Sequence, residues 1–329
     1  MINVFLYIID RDKAETNQVI AQLSALREEI PHHLAVINIE DDLSVYQAYQ
    51  GKTPVLEVGA YHLYFPYDED TIRITLVSAR DRQARLLVSD PKYANRLAQG
   101  KQVTNSDRFG RWLTKHYMSI INIFLLIYLG LPFLAPVFQK IGLPGPAKVI
   151  HAIYSPLCHQ LAYRSWFMFG EQAAYPRELA GTTHLKTYEE VTGLNPHDLL
   201  SAKAFKGNEE LGYKVAYCER DVAIYGGMLL FSIFFTFSGR KLKAIPWYVW
   251  LVAGILPIGF DGVSQLPALL SLHLTWLPVR ESTPLLRTAT GMLFGITTAW
   301  YGLPLFEETM RESKAIINKR FALQNESLP

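Results

Sequence analysis

Apolar and polar residues alternate in short periods over the first third of the chain. Residues 2–9 read as a buried strand, and residues 13–29 as an amphipathic helix with Val19, Leu23 and Leu26 on one face. A second strand is predicted at 33–39 and a short helix at 43–49. After the Gln50-Gly51 turn, Lys52-Thr53-Pro54-Val55-Leu56 opens a third strand running to Gly59. Strands alternating with helices in this way predict an α/β unit. Residues 80–115 carry Arg80, Arg82, Arg85, Lys92, Arg96, Lys101, Arg108, Arg111 and Lys115, and read as a solvated helical connector that ends at a membrane surface.

From Tyr117 onward the pattern changes to long uncharged runs. Residues 117–138 contain no charge and match the roughly 20 residues needed to cross hydrocarbon. Residues 222–237, 245–260 and 288–306 are the other predicted spans, with Trp247, Tyr248 and Trp250 in interfacial positions. Two further runs, 147–169 and 263–278, are apolar but interrupted by His151, His159 and Arg164 or by Pro267. They read as re-entrant or interfacial helices, because so much polarity is costly in hydrocarbon unless packed in protein. With four spans both termini share a side. The basic connector, the loop Arg240-Lys241-Leu242-Lys243 and the tail bearing Arg311, Lys314, Lys319 and Arg320 then fall together, and the bias of positive charge makes that side cytoplasmic.

The predicted fold class is therefore α+β overall: an N-terminal α/β domain at 1–80, a connector at 81–115, an α-helical polytopic membrane domain at 116–310, and a polar cytoplasmic tail at 311–329. A long insertion at about 170–216 is read as non-spanning. Composition sharpens this only slightly. The 329 residues are 50% apolar, and a net charge of +2 without a basic, aromatic-rich patch excludes a nucleic-acid partner. The apolar N-terminus lacks a preceding basic region and a small-residue cleavage site, so it reads as a strand and not a signal peptide.

The candidate chemistry lies in polar stretches at the edges of the apolar runs. Cys158, His159, Gln160, Arg164 and Ser165 form the first; Cys218, Arg220 and Asp221 the second; Asp261, Ser264 and Gln265 the third; Arg280, Ser282, Thr283 and Arg287 the fourth. All four fall on the extracytoplasmic side of the predicted topology. The only cysteines are Cys158 and Cys218, and their spacing leaves a disulfide, a metal pair and two inert thiols all open. Cys158, His159 and Cys218, with Asp221 or Asp261, offer the sulfur, nitrogen and oxygen ligands that suit zinc. Neighbouring helical residues are about 100 degrees apart, so Cys158 and His159 share one ion only if the helix is distorted near Pro156. Asp261, Ser264 and Gln265 share a helical face. An aspartate at the bilayer edge requires partners, which Arg164, Arg220, Arg280 and Arg287 supply unless they clamp an anion. His159, Asp221 and Asp261 are the candidate bases, and Gln160 and Gln265 complete the ligand-binding set. Gly226, Gly227, Gly291 and Gly295 read as packing positions. No phosphate-cradling glycine loop, Gly-x-Ser-x-Gly elbow or His-Glu-x-x-His helix occurs.

Two resemblances add to this reading. The element order and the Thr53-Pro54-Val55-Leu56 segment resemble the glutaredoxin and thioredoxin fold, which implies a cis Pro54. The Cys-x-x-Cys pair of that family is replaced here by Asp10, Arg11, Asp12 and Lys13, so the expectation is a degenerate binding module without disulfide exchange. Cys158-His159-Gln160, Arg164-Ser165, Cys218-x-Arg220, Asp261-Gly262-x-x-Gln265, Arg280-x-Ser282-Thr283 and Arg287-x-x-Thr290-Gly291 resemble a family of membrane proteins catalogued as domain of unknown function 2085. That family supplies no established activity, and whether the chain is an enzyme stays open. The expectation is a polar external pocket for an anionic small molecule or lipid headgroup, in a transporter or lipid-modifying enzyme. The alternative is a non-catalytic scaffold whose head binds a cytoplasmic protein partner.

Overall fold

The computed structural model describes residues 1–10, 13–41, 43–100, 102–270 and 279–325. The chain divides into two compact units, Met1–His116 with Glu308–Pro329, and Tyr117–Glu307.

The first unit is built on a four-stranded sheet. Strands β1 (Ile2–Ile8), β2 (His32–Asn38), β3 (Val55–Val58) and β4 (Tyr61–Tyr64) are arranged in the order β2-β1-β3-β4. β1 and β2 are parallel, whereas β1 with β3 and β3 with β4 are antiparallel. Helices α1 (Ala14–Leu26), α2 (Leu43–Tyr49), α3 (Glu69–Ser89) and α4 (Tyr93–Gln99) connect and follow the strands. Successive strand side chains face opposite ways. Val4, Leu6 and Ile8 therefore pack with Val19, Leu23, Ile72 and Leu76, while Phe5 and Tyr7 pack on the other face with Ala35, Ile39, Val55 and Leu323. Asp68 caps α3 by accepting from the Thr71 amide at 2.9 Å. The Thr53–Pro54 bond is cis. Arg11 and Asp12, two of the residues that replace the Cys-x-x-Cys pair, lie outside the described residues.

The tail belongs to this first unit. Lys319 Nζ donates to both carboxylate oxygens of Glu57, at 2.7 and 3.0 Å, and Tyr7 donates to the same group at 2.9 Å. Arg320 donates to Asp107 at 2.6 Å.

Three helices among the described residues are long and apolar enough to cross a membrane: α5 (Asn105–Lys140), α9 (Glu219–Phe237) and α10 (Trp247–Ala268). Only 17% of the most apolar window of α5 is buried, and Ile123, Phe124, Leu126 and Ile127 are exposed, as a lipid-facing stripe requires. α10 contains a π-helical turn at Trp250–Ile255. The expected span at 288–306 lies in α11 (Pro284–Asn325) but is not among these three. Thr288, Thr290, Thr297 and Thr298 dilute its apolar character, although Thr290 and Thr297 return their hydroxyls to helix carbonyls at 2.8 and 2.7 Å.

Between α5 and α9 the structure departs from the expected re-entrant helix at 147–169. Helix α6 (Pro144–Tyr154) stops before Pro156, whose ring disfavours helical geometry in the preceding residue. Cys158, His159 and Gln160 then follow in a loop where Gln160 adopts φ +52°. Strand β5 (Ser165–Met168) pairs antiparallel with β7 (Gly212–Cys218), and β7 pairs with β6 (Gly207–Asn208). Short helices α7 (Tyr188–Thr192) and α8 (Leu199–Ala204) lie between, around a core of Tyr163, Phe167, Tyr175, Tyr188 and Leu211. The other expected interfacial segment is 263–278. Its first residues complete α10, and residues 271–278 lie outside the described residues.

Candidate functional site

Chain direction sets the site. The N-terminus of α9, the C-terminal part of α10 and the N-terminus of α11 share one end of the helical unit. Close backbone approach holds α9 against α11. A Cβ on Gly295 would lie 2.1 Å from the Ile224 carbonyl oxygen, and a Cβ on Gly291 would lie 2.7 Å from that of Arg220. Gly227 meets the Met292 carbonyl in the same way, whereas Gly226 has room. These contacts bring Arg220 and Arg287 side by side.

The shared end holds a cavity of about 290 Å³. Its walls include Cys158, His159, Gln160 and Arg164 from the first stretch, Cys218, Arg220 and Asp221 from the second, Gln265 from the third and Arg287 from the fourth. Asp261 and Arg280 stand behind this wall. Asp261 is buried and accepts from Arg220, from Arg280 Nη2 at 3.1 Å, from Ser282 Oγ at 3.0 Å and from Gln265 Nε2 at 3.2 Å. A carboxylate with four donors is an anchored counter-ion, with little lone-pair capacity left for proton transfer. His159 is exposed at the cavity mouth.

A second carboxylate, Glu281, has no exposed side-chain surface and organises the rest. Arg164 binds it with two hydrogen bonds, Nε at 2.7 Å and Nη2 at 3.0 Å, the bidentate geometry that guanidinium favours. Arg287 donates to the same group and also to Glu219 Oε2 at 3.2 Å, and Arg177 adds a third cation at 3.6 Å. Buried charges survive only when paired in this manner. Glu219 Oε1 and Arg220 Nε have no hydrogen-bond partner among the described residues.

Gln160 fastens the loop. Its amide donates to the His151 carbonyl at 2.9 Å and the Ala216 carbonyl at 3.0 Å, and its side-chain oxygen faces His151 Nδ1 at 3.2 Å. Burial, with the charges of Lys206 and Lys214, pushes His151 down to about 3, so it is neutral at physiological pH. Lys214 is fully buried and donates to the Gln160 carbonyl at 2.7 Å and the Lys203 carbonyl at 2.9 Å; burial holds its ammonium well below the usual range.

Of the three states left open by the sequence, this structure has both cysteines free. The two sulfurs and a carboxylate oxygen of Asp221 nevertheless lie within 4.8 Å of one another. Cys218 donates to Asp221 Oδ2 at 3.0 Å. Hydrogen bonding to Cys158, burial and the Asp221 charge push the Cys218 thiol well above its ordinary range. His159 is not a member of this group.

Glu219, Glu281, Arg177, Lys214 and His151 are not singled out from the sequence as site residues. Glu219 and Glu281 had a signal, since each is the immediate neighbour of an arginine that was, and Lys214 is a lone charge in the apolar strand Gly212–Cys218. Arg177 sits in the insertion, where nothing in the local sequence separates it from solvated residues.

Residues 210–301 match the family model described as "Predicted membrane protein (DUF2085)". The match covers the second, third and fourth stretches and not Cys158 to Arg164. An uncharacterized protein of Methanocaldococcus jannaschii is 29% identical over 203 residues, which are 60% of this chain and 96% of that protein. No solved structure matches. The chain is thus similar, in its helical unit, to predicted membrane proteins of unknown function.

Proposed function

We propose that this chain is an integral membrane protein that binds an anionic ligand, a phosphate or carboxylate group on a small molecule or lipid, in the cavity at the shared end of its helices. One observation carries this reading: Arg164, Arg220 and Arg287 line the cavity and Asp221 is the one carboxylate among its described lining residues. The acids that balance the arginines, Asp261, Glu219 and Glu281, stand behind them, so the wall presents the part-exposed Arg164 and Arg220 to whatever enters, with Arg287 buried beneath. Guanidinium forks match phosphate and carboxylate oxygens. In a transporter or lipid-modifying enzyme Asp221 and His159 are the lining groups able to move a proton, with Asp261 holding Arg220 and Arg280 in place.

The topology that goes with this has the apolar half of α11 as a fourth span, the cavity on the extracytoplasmic side, and both termini in the cytoplasm. Arg240 supports it, since it pairs with Glu307 at 3.7 Å at the opposite end from Asp261, and basic residues favour the cytoplasmic side. The first unit we read as a thioredoxin-like binding module, on the strength of its strand order and its one parallel pair.

The test is isothermal titration of the detergent-solubilised full chain with inorganic phosphate and with short-chain phosphatidic acid. R164Q and R220Q should each weaken binding about tenfold or more, the worth of one charge-assisted contact. Binding of the lipid alone identifies a headgroup ligand, and binding of both a general anion site. Failure of both probes, or unchanged affinity in both variants, overturns the proposal. That failure would favour a non-catalytic scaffold whose first unit docks a protein. The observation behind this second reading is that Asp261 and Glu281 already hold two and three cations.

A further inference from the structure

We infer that Cys158, Cys218 and Asp221 form a site for a borderline-soft divalent cation of the zinc class, with its fourth position open to the cavity. The inference stands on the sulfur geometry and not on anion binding.

The three ligand atoms lie within 4.8 Å of one another. A tetrahedral zinc with metal–sulfur bonds of about 2.3 Å holds its sulfurs roughly 3.8 Å apart, and the observed separations of at most 4.8 Å approach that value. The sulfurs also receive backbone donors. The Gln160 amide points at Cys158 Sγ and the Asp221 amide at Cys218 Sγ, each at 3.4 Å. Amide donors of this kind stabilise the thiolate form that binds metal and fix the direction of the remaining lone pairs. The Cys158 loop, held in place by Gln160, and the first turn of α9 deliver these groups from positions 60 residues apart in sequence, so the cluster is a product of the fold and not of a local motif.

Charge and access agree. Two thiolates and a carboxylate carry more negative charge than one divalent ion neutralises, and the Arg164 guanidinium lies within electrostatic reach of Cys218. Cys158, Cys218 and Asp221 all line the cavity, so a fourth ligand has to come from the space that Arg164 and Arg220 also face. Three protein ligands with one open position is the pattern of zinc sites that bind water or substrate. Sulfur donors disfavour magnesium and calcium. Of the ligands expected from sequence, Cys158, Cys218 and Asp221 come together and His159 does not, because His159 is exposed at the mouth while Asp221, in the first turn of α9, takes the third place.

Binding displaces the proton of each thiol, so affinity falls as pH falls. The experiment uses the reduced, metal-free full chain in detergent, titrated with cobalt(II). One equivalent should give thiolate-to-cobalt charge-transfer absorption with tetrahedral visible bands, and zinc should bleach them. C158S and C218S should each abolish the charge-transfer band of the wild type, D221N should weaken cobalt binding by about tenfold or more, and H159A should leave it unchanged. On the wild type alone, zinc should protect both thiols from maleimide. Absence of the charge-transfer band together with full maleimide reactivity in the presence of zinc overturns the inference. Loss of the band in H159A but not in D221N overturns the ligand assignment. Neither readout uses phosphate or lipid, so failure here is distinct from failure of anion binding.

Discussion

Gln160 shows how much one residue carries in this protein. Its side chain ties helix α6 to strand β7, its carbonyl holds the buried Lys214 ammonium, and its amide faces the Cys158 sulfur. The sequence marks it only as a polar residue in an apolar run. The loop conformation that lets it reach all these partners, φ +52°, is a tertiary outcome that composition does not encode. Its neighbour His151 gives a pH test. In the folded chain His151 takes a proton only near pH 3, whereas an unfolded chain takes it near the usual value of 6.5. Between these values the unfolded state binds more protons, so stability falls as pH falls below about 6.5. The thermal midpoint of the wild type in detergent should drop between pH 6.5 and pH 4 more steeply than that of H151Q, and equal slopes would remove His151 from the account.

At the scale of elements, the uncharged run at 117–138 was readable because nothing but lipid or a large core tolerates it. The Cys-His-Gln segment was misread as a helix for the same reason: an apolar average does not distinguish a helix from a loop folded against a strand. The glycines of α9 and α11 were legible as packing residues, and the structure shows which ones matter. Gly295→Ala places a methyl 2.1 Å from the Ile224 carbonyl oxygen, whereas Gly302→Ala meets nothing within 4 Å. The first should destabilise by about 1–3 kcal/mol. The second should be neutral or stabilising by up to about 1 kcal/mol, since alanine favours helix. Thermal denaturation of both variants checks the pair, and a G295A protein as stable as wild type would show that the two helices separate freely.

At the scale of the whole molecule, two expectations can be measured. The tail packs in the first unit through Lys319, Arg320 and Leu323, an arrangement hidden from sequence because a basic, polar segment reads equally well as a solvated tail. K319M should lower the stability of that unit by on the order of 1 kcal/mol, since the pair is partly exposed, seen as faster limited proteolysis within residues 1–116; unchanged proteolysis would leave Lys319 a surface residue. Topology is the second. Single cysteines replacing Lys241 and His159, in a background with both native cysteines changed to serine, should react with membrane-impermeant maleimide from opposite faces of oriented vesicles. Labelling from one face would remove the four-span arrangement.

The insertion between β5 and β7 reaches beyond its own core. It supplies Arg177 to the enclosed Glu281 and the Lys203 carbonyl to Lys214, besides its own packed aromatic side chains. A shortened chain that bridges β5 directly to β7 would therefore leave an acid short of a cation and an ammonium short of an acceptor, both far from water. Trimming this segment would be felt in the cavity wall itself, so anyone designing a minimal version of the protein has to keep it or replace both partners.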